Sequence, residues 1–178
     1  LATRIEFGEG YLTRAGAEAK KLGITKAMVI ADKGIIACGI VKPIEESLKA
    51  EHVDYVIYDQ IVPNPRDVHC IAGAEFAKEH QVDGMIAIGG GSSMDTAKAV
   101  GTLLANGGNI RTWAAPALLE NPIIPLIAVP TTAGTGSEVT FDAVITDTEA
   151  HEKLNILDLK IAPKVAPVHQ TVLPGLPD

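Results

Sequence analysis

The sequence predicts an α/β fold: a doubly wound parallel sheet with helices on both faces. Four short, almost uninterrupted apolar runs alternate with segments whose apolar residues recur three and four apart. Strands without a polar face belong in a sheet covered on both sides. Two glycine-rich turns, GGGSSMD (89–95) and PTTAGTGSE (130–138), leave the ends of the last two runs. In such sheets ligands sit beyond the carboxyl ends of the strands.

The elements follow in order. KAMVIA (26–31) is the first strand; Val41, Ile44 and Leu48 then share one helical face before VDYVIY (53–58). Val68, Ile71, Ala72, Glu75 and Phe76 outline the next helix, and GMIAIG (84–89) the third strand. A helix starting at Ser92 or Ser93 carries Ala97, Val100, Leu104 and Ala105 on one face and leads to PLIAVP (125–130). Crossovers between parallel strands are right-handed. VTFDAVITD (139–147) and KLNILD (153–158) alternate like an antiparallel hairpin, and APKVAPVHQTVLPGLPD (162–178), with four prolines, reads as an extended tail or linker. Residues 1–160 are thus expected to form one ligand-binding domain and 161–178 the tail.

With 178 residues, 47% of them hydrophobic, a single domain buries roughly 70% of its unfolded surface. The net charge of −7, without a basic cluster, argues against nucleic acid as a partner. No apolar run reaches the roughly 18 residues of a membrane span, and LATRIEFGEG lacks a signal-peptide pattern. Cys38 and Cys70 are too far apart for a paired metal or disulfide motif. These features predict a cytoplasmic protein that contacts no membrane.

Glycine lets an anion approach the backbone without a Cβ in the way. A helix N-terminus just beyond offers unpaired N–H groups and a positive dipole end, which favour phosphate. Two such loops side by side can grip a pyrophosphate from two directions. Each feature also has a local reading: the glycines as a tight turn, Ser92 and Asp95 as an S-x-x-D cap, and Thr131, Thr132 and Thr135 as turn formers. An ionised Asp95 would repel a diphosphate, so it is expected either to cap the helix or to face the reacting end of the ligand. Neither turn matches G-x-G-x-x-G or the P-loop.

Together the motifs resemble the iron-containing (group III) alcohol dehydrogenases, whose domain is Rossmann-like, of the dehydroquinate synthase-like kind. The resemblance runs through FGEG (7–10), VIADKGI (29–35), VPNP (62–65), GGGSSMDTAK (89–98), PTTAGTGSEVT (130–140) and AVITD (143–147). It is greatest to members acting on small diols, alcohols and aldehydes, such as lactaldehyde reductases and propanediol dehydrogenases. The resemblance implies NAD as cofactor, with Gly90, Gly91, Ser92, Ser93, Met94 and Asp95 forming the dinucleotide-binding turn. It implies a second cofactor loop of Thr131, Thr132, Ala133, Gly134 and Thr135, followed by Thr140. Asn64, Lys153 and Val172 match further cofactor-contacting positions. Read from the residues alone, Asn64 serves equally as a turn or helix cap, and Lys153 as a solvated hairpin charge.

Asp32 follows the first strand, a place from which a carboxylate bonds a ribose hydroxyl. It would repel the extra phosphate of NADP: two unit charges about 4 Å apart at an effective dielectric near 20 interact by about 4 kcal/mol. NAD is therefore expected over NADP. The resemblance also implies a catalytic Fe2+ or Zn2+, held by one Asp and three His of a following helical domain. His52, His69, His80, His151 and His169 are scattered and form no H-x-x-x-H pair, so no metal ligand is expected in this chain. Two readings follow: the cofactor domain of an NAD-dependent alcohol dehydrogenase, or an isolated nucleotide-binding module without catalysis. In either, self-association or a helical domain is expected to cover the surface that domain would occupy.

Overall fold

The computed structural model describes residues 3–8 and 10–168. Six strands form one parallel sheet: β1 (Arg4–Phe7), β2 (Lys26–Ala31), β3 (Asp54–Tyr58), β4 (Gly84–Gly89), β5 (Leu126–Pro130) and β8 (Val165–Val168). Their order across the sheet is β1-β8-β5-β4-β2-β3. A separate antiparallel pair, β6 (Asp142–Asp147) and β7 (Glu152–Leu157), forms the hairpin. The helices are α1 (Ala15–Lys21), α2 (Lys33–Ala37), α3 (Lys42–Ala50), α4 (Asp67–Glu79), α5 (Gly91–Asn106) and α6 (Ile110–Trp113).

Strand residues alternate between two cores. Met28, Ile30, Met85, Ala87, Leu126 and Ala128 pack with α4, α5, α6 and the hairpin. Their neighbours Ala27, Val29, Ile86, Ile88, Ile127 and Val129 pack with α1 and α3. Both sets are 0% exposed, which accounts for strands that are apolar at every position rather than at every second one. The glycines of the helices set the closeness of approach. A Cβ on Gly16 of α1 would collide with the Ser47 carbonyl of α3, so these helices touch backbone to backbone.

Two expectations are revised. On α4 the buried residues are Cys70, Gly73 and Ala77, while Val68 and Ile71 are 49% and 38% exposed. The reason is close packing against α5 and β3: a Cβ on Gly73 would stand 2.7 Å from Val100 Cγ2 and 3.3 Å from the Tyr58 ring. Only small residues fit that seam, so the larger apolar side chains do not mark it. The second revision concerns Val165–Val168, within the stretch expected to leave the domain as a tail. It is an interior strand between β1 and β5, with Val165, Ala166 and Pro167 buried.

The topology also opens a crevice at one end of the strands. From β2 the chain moves outward to β3, whereas from β4 it moves the opposite way to β5. Adjacent β2 and β4 are therefore the switch point at which the connections diverge and leave a crevice at the strand ends.

Candidate functional site

The carboxyl ends of β2 and β4 bring Asp32 and residues 90–93 of the predicted set to one place. Beyond β2, Asp32 caps α2, its Oδ1 accepting from the Ile35 N–H at 2.9 Å. Beyond β4, Gly89 (φ 144°) turns the chain and Gly90 caps α5. A Cβ on Gly89 would collide with the Ser93 side chain, so two features require glycine there. Asp32, Gly90, Gly91, Ser92 and Ser93 line one open cavity of about 210 Å³ together with Ile61, Val62 and Pro63.

The second glycine-rich loop borders the first. Thr131 N–H donates to the Gly89 carbonyl at 2.9 Å. A Cβ on Gly90 would stand 3.0 Å from Thr132 Oγ1, and one on Gly91 would stand 3.1 Å from Ser137 Oγ and 3.5 Å from Thr135 Cβ. Thr131 is buried, whereas Thr132, Ala133, Gly134 and Thr135 are exposed around the mouth. The first turn of α5 therefore has bare backbone facing a loop of hydroxyls, at the positive end of a sixteen-residue helix. The geometry suits an anion.

The helix begins earlier than the sequence implied, and this overturns the capping role of Ser92 and Asp95. Gly90 is the N-cap and no side chain caps α5, so Asp95 lies beyond the first turn, towards the hairpin. Its Oδ2 accepts from the Val144 N–H at 3.2 Å, and burial raises its pKa. Met94 is 0% exposed and packs in the core. Thr140 Oγ1 accepts from Lys98 Nζ at 3.0 Å. Asn64, left-handed at φ 55°, accepts through Oδ1 from Lys153 Nζ at 3.2 Å. These two residues, 89 positions apart, form one exposed pair just after Pro63 of the cavity wall. Val172 lies outside the described residues.

Lys98 was not singled out by sequence reasoning. It is 0% exposed and donates to Thr140 Oγ1 and, at 2.8 Å, to the Asp142 carbonyl. Burial pushes its pKa down to about 8 against the upward pull of Asp95, Asp142 and Glu138. It fastens the segment after the second loop to α5. A lysine three residues after an aspartate, between alanines in a helix with no other charged residue, is the signal that could have found it.

The sequence matches the family of iron-containing alcohol dehydrogenases over residues 2–170. The chain belongs to that family. It is 37% identical over 159 residues to the NAD-dependent methanol dehydrogenase of Bacillus methanolicus, covering 89% of this chain and 42% of that protein. Against the lactaldehyde reductase of Escherichia coli (strain K12) it is 35% identical over 173 residues, covering 96% and 45%. The crystal structure of a 1,3-propanediol oxidoreductase superposes with a TM-score of 0.93 at 32% identity, covering 99% of this chain and 47% of that one. The chain thus spans less than half the length of these relatives, and its fold is that of their α/β domain.

Among the described residues, no three His, Cys, Asp or Glu side chains converge into a metal site. The residues described therefore offer no set of ligands that fits the family's metal. No helix among them is long and apolar enough to cross a membrane.

Proposed function

We propose that this chain is the NAD-binding domain of a metal-dependent alcohol dehydrogenase acting on a small primary alcohol, diol or aldehyde. The observation that carries the reading is the shared cavity. Bare glycine backbone at the start of α5 and the Asp32 carboxylate, from two strands at the switch point, line a single space. The names of the relatives support the redox class and the kind of substrate.

In this reading the pyrophosphate rests on the first-turn amides of α5, where Gly90 and Gly91 leave room, and the Thr131–Thr135 loop closes over it. Asp32 accepts from a ribose hydroxyl and disfavours a phosphate there, so the cofactor is NAD rather than NADP. Asn64, the residue after Pro63 of the cavity wall, and its partner Lys153 contact the cofactor as it leaves the cavity. Asp95, Thr140 and Met94 support the two loops from behind, since each is already bonded or packed there. Bound NAD supplies the hydride acceptor or donor; the protein's part is to hold it and fix its orientation. The metal ligands and most substrate contacts lie outside the described residues. Exposed Phe141, Leu157 and Leu159 offer apolar surface for a helical domain or a second copy. Free cysteines and a soluble cofactor accord with a cytoplasmic setting.

The test is cofactor choice. Titrations with NADH and NADPH should show clear preference for NADH, and Asp32→Gly should narrow it by at least about tenfold. Because Asp32 also caps α2, Asp32→Ser is the companion variant, keeping a capping oxygen while removing the charge. An unchanged NADH/NADPH ratio in both variants would rule out Asp32 as the discriminator. Failure of the parent protein to bind either cofactor would rule out the whole reading.

A further inference from the structure

Lys153 donates to Asn64 from a hairpin that is itself tied to the connection carrying Asn64. Three contacts make the tie. The Thr146 N–H donates to the Pro65 carbonyl at 2.7 Å, and Thr146 lies directly opposite Lys153 in the β6–β7 register. At the hairpin turn, Thr148 Oγ1 and Thr148 N–H both donate to Asp67 Oδ1, at 2.9 and 3.2 Å. The same oxygen accepts from the Val68 N–H at 2.9 Å, which anchors it to the first turn of α4. The hairpin turn itself is held in shape by Asp147. Its Oδ1 accepts from the Glu149 and Ala150 N–H groups, both at 2.9 Å, while its Oδ2 receives Arg111. A preshaped turn is thus pinned through one carboxylate oxygen, three residues after Asn64.

We propose that Asp67 is a positioning residue for cofactor binding: by holding the Thr148 turn it keeps Lys153 on Asn64 beside the cofactor cavity. The inference rests on the proposed reading of Lys153 and Asn64 as cofactor contacts. Asp67 touches neither residue, and its effect passes through the hairpin. The Thr146–Pro65 bond joins main-chain atoms and survives any change at Asp67. Loosening the turn therefore leaves the hairpin attached at Thr146 and removes the restraint on the turn that leads into Lys153. A long, exposed lysine has many rotamers, so its placement depends on the strand beneath it.

The test is a double-mutant cycle on the full chain, read by NADH titration. Lys153→Met and Asp67→Ala should each raise the NADH Kd about fivefold. In the Lys153→Met background, Asp67→Ala should add less than about twofold, because the residue it positions is gone. Asp67→Asn, whose amide oxygen accepts the same three bonds, should restore binding to near the parent value. Should Asp67→Ala not fold, Thr148→Val removes one bond and reads the same coupling. Equal loss from Asp67→Ala with and without Lys153, or no loss at all, overturns the inference while leaving the cofactor reading intact. An unchanged Kd in Lys153→Met instead removes Lys153 from the cofactor site, and the inference falls with it.

Discussion

The buried ammonium of Lys98 ties stability to pH in a direction opposite to that of most buried acids. Its folded pKa is about 8 because burial disfavours the charge, whereas the unfolded chain restores the ordinary lysine value of 10.5. Between these values the unfolded state binds more protons, so stability must rise with pH. Integrating the difference from about pH 8 to about pH 9 gives a gain of about 1 kcal/mol. Cys70 acts in the opposite sense. Burial pushes its thiol from 9.0 up to about 12, so the folded state keeps a proton that the unfolded state loses, and stability falls as pH climbs through that range. Comparing the parent with Lys98→Met isolates the lysine, since Cys70 is common to both. Urea unfolding followed by circular dichroism at about pH 7, 8 and 9 would read the difference. The parent should gain about 1 kcal/mol on Lys98→Met over the last interval. A stability gap constant to within about 0.3 kcal/mol would refute a depressed Lys98.

Two further expectations concern the frame of the site. Val165 is 2% exposed in an interior strand, so Val165→Asp should cost more than about 3 kcal/mol in urea unfolding, and near-parental stability would contradict the placement of β8. At Gly89 the left-handed backbone and the nearby Ser93 side chain both oppose a Cβ. Gly89→Ala should lower stability by about 2 kcal/mol and weaken NADH binding together, and tight binding with unchanged unfolding would show that this turn relaxes freely.

The sequence by itself determined strands β2 to β5 of the parallel sheet, the hairpin and the two glycine loops. The uninterrupted apolar strands could be buried only between two helical layers, and Gly89–Gly91 marked a place where the chain turns tightly or its backbone is approached closely. The family was legible through the resemblance carried by GGGSSMDTAK and PTTAGTGSEVT together, and the structure sets them at the ends of adjacent strands. The tertiary structure decided what depends on contacts distant along the chain. Val165–Val168, with its proline, becomes an interior strand through its parallel partners β1 and β5, neither of which its local pattern announces. The seam of α4 goes to small residues because Val100 and Tyr58 crowd it, whereas periodicity favours its larger apolar side chains. Asp95 is turned from the helix cap to the Val144 N–H because α5 starts at Gly91. Lys98 and Asp67, ordinary surface residues by type, acquire their roles from Thr140, Asp142 and Thr148, between 42 and 81 positions away. Local patterning specifies which segments seek burial and where backbone must be bare. Which buried polar groups satisfy one another is fixed only when the hairpin folds back over α5.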